Sequence, residues 1–331
     1  MSIRAQPSPR LWSIVLAGGE GERVRPFVQR WLGCHKPKQY CAFVGNRSML
    51  QHTVDRATQL APPSRTVAIV AREHRREALA QLQGRQVGSI LLQPVNRDTG
   101  AGIFLPLTYI RAHDRRATVV IYPSDHFVYP EDRFLEIVTL AVRSAEGLHD
   151  RVVLLGVQPD RLELDYGWIQ PGQCLAISGN LPVRAVSRFV EKPTAAQADD
   201  ALSKGAMWNT LVMAAKLDSL WQLGWQCCPE LMLRFERLSQ AIGTPEETRV
   251  LEDLYQEMPA KNFSSDLLER VPEHAAVIEL SGVLWSDWGK PERITETLRR
   301  IGRPPAFPLE CLDHPFAPAE RQAENRLTEI A

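Results

Sequence analysis

Residues 11–26 read LWSIVLAGGEGERVRP. The mostly apolar run from Leu11 to Ala17 passes directly into Gly18-Gly19-Glu20-Gly21, and Arg23 stands just beyond. A short continuous apolar run that stops at glycines is what a strand buried on both faces looks like. Glycine tolerates positive φ and carries no Cβ, so backbone N–H groups in such a loop can approach phosphate oxygens. Arg23 could add a planar guanidinium fork to the same phosphates. On its own the loop reads equally as a tight turn of any α/β protein. It is neither the GxxxxGK[ST] P-loop nor the GxGxxG dinucleotide fingerprint.

The same kind of run recurs at 65–71 (RTVAIVA), 87–93 (VGSILLQ), 117–123 (ATVVIYP) and 151–157 (RVVLLGV). Between the runs, 48–60 and 132–147 place apolar residues every three or four positions, which is the helical period. The alternation predicts an α/β fold built on a mostly parallel sheet. After 157 the pattern changes to hairpin-like material, DYGWIQPG at 165–172 and VRAVSRFVEKP at 183–193, and then to a helix-rich stretch over about 195–257. That stretch reads as an insertion carried by the sheet. Strand character returns at 275–288, and a last amphipathic helix is expected at about 291–301. The reading is one domain over 1–302 followed by a loosely packed Pro-rich tail over 303–331.

Lys and Arg number 39, as do Asp and Glu, so the formal net charge is zero. Without a global positive field, nucleic acid and acidic membrane surfaces are poor partners, which leaves a small molecule. Apolar residues at 44% and charged residues at 24% are globular usage and exclude a disordered or collagen-like chain. No run is long enough to span a membrane, and the start lacks the cleavage pattern of a signal peptide. The six cysteines fit neither CxxC knuckles nor a dense disulfide scaffold. Reduced thiols and a cytoplasmic location are expected, and the sequence leaves assembly as a homo-oligomer open.

Two further stretches carry charge close to the predicted sheet. Lys36-Pro37-Lys38-Gln39 offers point charges for a polyphosphate, although a lone KPK run is more often a solvated turn. Tyr122-Pro123-Ser124-Asp125-His126 closes the fourth strand and puts a carboxylate where open α/β sheets bind ligands. Asp125 could hold Mg²⁺, which takes one or two carboxylates plus phosphate oxygens, or could simply cap a turn. His126 reads as structural. Asp287, between Trp285 and Trp288, is a carboxylate among large apolar groups, costly unless it is paired or metal-bound.

The ordered series GGxGxRxxP (18–26), KPKQ (36–39), PSDH (123–126), YGWI (166–169), FVEKP (189–193), WNT (208–210) and WSDWG (285–289) resembles the nucleotide-sugar pyrophosphorylases. It is most similar to the mannose-1-phosphate guanylyltransferases, whose signature after the third strand is similar to Gln93–Thr99, QPVNRDT. The resemblance implies a GT-A-like, Rossmann-like nucleotidyltransferase fold and a reaction of GTP with mannose 1-phosphate that yields GDP-mannose and pyrophosphate. It implies nucleotide binding by Leu16, Ala17, Gly18, Gly19, Gly21, Arg97, Thr99 and Ser124. Catalytic grip on the phosphates would come from Arg23 and Lys38, and Mg²⁺ would be held by Asp125 and Asp287. Gly167, Glu191, Lys192 and Asn209 would hold the sugar phosphate. Three positions depart from the pattern: Glu22 replaces the usual Thr, Asp98 the usual Asn, and Leu211-Val212 follows Trp208-Asn209-Thr210 where Gly is usual. The departures keep two alternatives in view, the same reaction on another hexose 1-phosphate or nucleotide, and a regulatory or nucleotide-sugar-sensing subunit. No C-terminal isomerase domain of the kind that bifunctional relatives carry is expected.

Overall fold

A computed structural model of the chain describes residues 8–85 and 87–312. From the N-terminal side, β1 (Leu11–Ala17) is followed by α1 (Arg25–Leu32), α2 (Met49–Leu60), β2 (Thr66–Ala71), α3 (Arg75–Leu82), β3 (Ser89–Gln93), α4 (Asp98–His113) and β4 (Thr118–Pro123). Next come β5 (Phe127–Tyr129), α5 (Glu131–Gly147), β6 (Val152–Val157) and the hairpin of β7 (Gly167–Ser178) and β8 (Leu181–Glu191). Then follow α6 (Ala195–Ser203), β9 (Met207–Lys216), α7 (Leu217–Cys227), α8 (Pro229–Ala241), α9 (Glu247–Glu257), β10 (Ala275–Glu279), β11 (Leu284–Ser286) and α10 (Pro291–Arg300). Caps set several boundaries. Ser48 accepts from the Gln51 N–H while the Gln51 side chain accepts from the Ser48 N–H, so α2 starts at the next residue.

Nine strands form one sheet in the order β3-β2-β1-β4-β9-β6-β10-β8-β7. β3, β2, β1 and β4 run parallel, β6 and β10 run parallel, and β9 and β8 run against their neighbours. A further β7–β9 pairing closes β9, β6, β10, β8 and β7 into a ring. The expected mostly parallel α/β sheet is what the chain forms. The continuous apolar runs arise because both faces are covered. Val119 and Ile121 of β4 pack on one side with α4, α7 and α8, whereas Val120 and Tyr122 pack on the other with α2 and α5.

Two expectations are corrected. The stretch 195–257 is not an uninterrupted helical insertion, because Met207–Lys216 forms β9 in the middle of the sheet, between β4 and β6. MWNTLVMAAK is apolar nearly throughout and rich in Met and Ala. A strand buried on both faces has no alternation to give it away, and tertiary pairing overrides the local helix preference. The tail also begins firmly packed. Phe307 is buried edge-on against Phe27, with ring centroids 4.9 Å apart, and the Ala306 N–H donates to the Phe43 carbonyl at 2.9 Å. The rest of the tail, from 313, lies outside the described residues. No helix among the described residues is long and apolar enough to cross a membrane.

Candidate active site

Asp125 and Asp287 are brought together by a two-stranded ribbon. β5 begins two residues after Asp125, β11 ends one residue before Asp287, and the strands pair antiparallel with Ser286 opposite Phe127. Trp288, at φ 47, stacks on Phe127 with centroids 4.6 Å apart, which locks the turn that carries Asp287.

Lys38 joins the two acids. Its side chain is almost fully buried; Nζ lies 2.8 Å from Asp125 Oδ2 and donates to the Asp287 carbonyl at 2.5 Å. The Asp287 carboxylate is nearly closed off from solvent and accepts four hydrogen bonds. Oδ2 takes Arg23 at 2.7 Å, and Oδ1 takes Arg293 at 2.8 Å, the Tyr166 hydroxyl at 2.5 Å and the Gly289 N–H at 3.0 Å. Burial pushes this carboxyl up, but Lys38, Arg23, the Tyr166 hydroxyl and Arg293 more than reverse it, so it stays well below the usual carboxylate range. Asp125 is likewise held low, burial being overcome by Lys38 and His126. His126 is placed as a structural residue: Nδ1 meets the Thr210 carbonyl at 3.1 Å and the ring stands edge-on to Trp285.

Beside this network, a cavity of ≈ 560 Å³ opens at the end of β1, its walls including Leu16, Gly18, Gly19, Gln93, Asp98 and Thr99. Gly19 has open space where a Cβ would stand, whereas a Cβ on Gly18 would meet the Gln93 side-chain oxygen at 2.5 Å. Gly21 sits at φ 64 and a Cβ there would meet the Lys38 backbone nitrogen at 2.8 Å, so the loop and the Lys38 turn can approach only at glycine. Ala17 is fixed through its carbonyl, which accepts from Gln39 at 3.2 Å and from the Tyr40 hydroxyl at 3.3 Å.

Not every expected nucleotide residue reaches the cavity. The Arg97 guanidinium donates to the carbonyls of Tyr255 at 2.8 Å and Gln256 at 2.9 Å and so braces the start of α4. The Ser124 hydroxyl is spent on the Leu16 carbonyl at 2.6 Å. Lys36 turns away to Glu77 at 2.9 Å. Asp98 stands at φ 63, accepting from the Thr99 N–H at 2.6 Å and from Asn262 at 3.1 Å.

The expected sugar-phosphate residues cluster at the base of the β7–β8 hairpin. Gly167 pairs with Glu191, and a Cβ on Gly167 would meet Glu191 Oε2 at 2.7 Å. Burial raises the Glu191 carboxyl to about 7, against the opposing pull of Lys192. Lys192 is exposed at φ 47, and Asn209 on β9 lies opposite Gly156 of β6. The Asn209 side-chain oxygen accepts from the Leu211 N–H at 3.1 Å, which holds Leu211 at φ 57. That is how a non-glycine residue occupies the position after Trp208-Asn209-Thr210.

Sequence reasoning misses Arg293 and Glu163, and it gives Tyr166 no role beyond its place in YGWI. Arg293 carries Asp287, Tyr166 and Glu163 together in one buried cluster. Nothing distinguishes Arg293 within the charged α10 sequence; only its burial does. Gln39 is visible in KPKQ, but its residue type alone gives it no role there. Asp125 and Asp287 fit a hard divalent ion. Both are acceptor-only, both are held ionised, and Arg23, the cation on Asp287 Oδ2, is half exposed and able to swing away.

A model of the nucleotidyl transferase family matches residues 12–302. The chain belongs to the nucleotidyl transferase family. Among curated members, the mannose-1-phosphate guanylyltransferase of Escherichia coli is 28% identical over 304 residues, covering 88% of this chain and 61% of the relative. The xanthan biosynthesis protein XanB of Xanthomonas campestris pv. campestris (strain B100) is 34% identical over 200 residues, 60% of this chain and 40% of the relative. The chain therefore spans about half the length of the curated relatives it matches. Among solved structures of the family, one from Thermus thermophilus, described as a mannose-1-phosphate geranyltransferase, superposes with a TM-score of 0.71 at 27% identity, over 86% of this chain and 79% of that one. A UDP-glucose pyrophosphorylase complexed with UDP-glucose shares the fold at a TM-score of 0.54 and 14% identity, over 88% of this chain and 97% of that one.

Proposed function

We propose that the protein transfers GMP from GTP to mannose 1-phosphate and releases pyrophosphate. The observation that carries this reading is the cavity beside β1 opening next to the Arg23, Lys38, Asp125 and Asp287 charge network. A base and ribose would lie in the cavity and the triphosphate would run along the Gly18–Gly21 loop toward Lys38. Asp98 gives the wall an acceptor-only side chain, which suits a base that presents N–H donors, as guanine does. The sugar phosphate would rest against Gly167, Glu191, Lys192 and Asn209.

A sugar-phosphate oxygen then attacks the α-phosphorus in line, a new P–O bond forms, and the bond to the β-phosphate breaks with pyrophosphate leaving. The step requires no covalent nucleophile. It requires positioning and offset of negative charge, which Arg23, Lys38 and Lys192 would supply. Mg²⁺ held by Asp125 and Asp287 would add a compact charge at the phosphates. Pyrophosphate release, measured with each of four nucleoside triphosphates against several hexose 1-phosphates, tests the reading. GTP with mannose 1-phosphate should be fastest. Another pair in front would keep the chemistry and correct the substrates, and no release from any pair would overturn it.

A further inference from the structure

Glu20 of the glycine-rich loop turns toward the β2–α3 turn, where it meets Glu73 and His74. The donor atoms of Glu20, Glu73 and His74 lie within 4.8 Å of one another. His74 Nε2 is 3.6 Å from Glu20 Oε2, and His35 Nε2 approaches the same oxygen at 3.9 Å. The His74 side chain is only 10% exposed. Its Nδ1, both nitrogens of His35 and Glu20 Oε1 are buried without a hydrogen-bond partner among the described residues. Buried polar atoms are nearly always satisfied, so orphans on three neighbouring side chains point to something that satisfies them, and an ion can take one nitrogen of each ring.

We propose that Glu20, His35, Glu73 and His74 form a binding site for one divalent transition cation of the Zn²⁺ class. Two imidazoles and two carboxylates are a complete tetrahedral donor set for such an ion, and imidazole selects against Mg²⁺. Zinc–ligand bonds of about 2.0–2.1 Å place tetrahedral donors roughly 3.3 Å apart, so the three donors now within 4.8 Å of one another close in by up to about 1.5 Å and His35, 3.9 Å from Glu20 Oε2, swings in as the fourth. The local electrostatics agree. Burial, with Arg25 adding for His35, holds both imidazoles in the neutral form that ligates metals. Burial first and Glu73 second push the Glu20 carboxyl up, a repulsion that a cation would remove. The ion would tie the glycine-rich loop to the start of α3.

The test uses the full chain with Mg²⁺ in excess. Zn²⁺ is titrated by calorimetry, Co²⁺ by its visible d–d absorption, and melting is followed with and without Zn²⁺. One equivalent should bind with micromolar or tighter affinity and raise the melting temperature. Glu73→Gln and His74→Ala should each weaken binding at least ~10-fold, as loss of one ligand of four does, and Cys34→Ser should leave it unchanged. Glu73 is exposed, so Glu73→Gln decides the matter if His74→Ala does not fold. No binding, binding untouched by both ligand variants, or a Co²⁺ spectrum with thiolate charge-transfer bands would overturn the proposal.

Discussion

Replacing Asp287 by Asn keeps shape and removes charge, and the surroundings indicate what each change does. An amide offers one acceptor and one donor. Its oxygen will take the place of Oδ1, where Arg293, Tyr166 and Gly289 all donate, which turns the NH₂ toward Arg23. Arg23 is 48% exposed and can leave for solvent at little cost. Arg293 is 9% exposed and keeps Glu163, but it loses its ion pair with residue 287, and the bonds from Tyr166 and Gly289 fall from charge-assisted to neutral. Hydrogen bonds to charged groups are worth ~1.5–3 kcal/mol and neutral ones ~0.5–1.5, so the variant should lose roughly 2–4 kcal/mol of folding stability near neutral pH. The sign follows from the depressed carboxyl: its contribution is present above the ordinary value of 3.8 and is lost as pH falls toward the folded value. Below about pH 4 the gap between wild type and variant should therefore narrow by about 1.4 kcal/mol per pH unit. Urea unfolding from pH 7 to pH 3 measures this. A gap under 1 kcal/mol at pH 7, or one that stays constant down to pH 3, refutes the account of Asp287 as an ionised hub.

Turnover of Asp287→Asn, and separately of Asp125→Asn, should drop at least ~100-fold if both hold the ion, and near-normal rates in both would remove the metal assignment. Lys192→Ala should raise the KM for the hexose 1-phosphate far more than that for the nucleotide, and equal rises would take Lys192 off the sugar side. Glu22 is exposed, so Glu22→Thr should tighten nucleotide binding by only ~0.5 kcal/mol, and the gain should vanish at high salt; a gain unchanged by salt would not be electrostatic. Glu191, raised to about 7 from 4.5, weakens the fold only when ionised, so Glu191→Gln should be neutral at pH 4 and should stabilise by ~1–2 kcal/mol at pH 8, solvent screening included. Equal stability at both pH values in a thermal melt would show that the carboxyl is not desolvated.

The part of the fold built from local sequence was legible. β1 runs from Leu11 to Ala17 as read, α2 begins just after its Ser48 cap, and the glycines at 18 and 21 stand where a Cβ would collide. β9 was hidden because a strand covered on both faces shows no alternation. The motif residues Arg23, Lys38, Asp125 and Asp287 do converge, but their order in the chain could not reveal that the first contacts are with one another. Arg97 and Ser124 were expected at the nucleotide through the family resemblance; the backbone carbonyls that engage them come from residues distant in sequence. Arg293, buried beneath the site on an otherwise charged helix, left no pattern to read.

The β5–β11 ribbon also bears on how the protein is made. Arg23 meets Asp287 across 264 residues of chain, and Lys38 meets its carbonyl across 249. Domains begin to fold from the N-terminal side while the ribosome is still working. The glycine loop, Gln93, Asp98 and Asp125 are therefore all out of the tunnel long before β11 arrives to complete the charge network. Until then Lys38 has only Asp125 to face and Arg23 lacks its buried anchor. The arrival of β11 acts as an arming step, and a ribosome-stalled chain that ends before Leu284 would hold Lys38 and Asp125 without the Asp287 that completes their network.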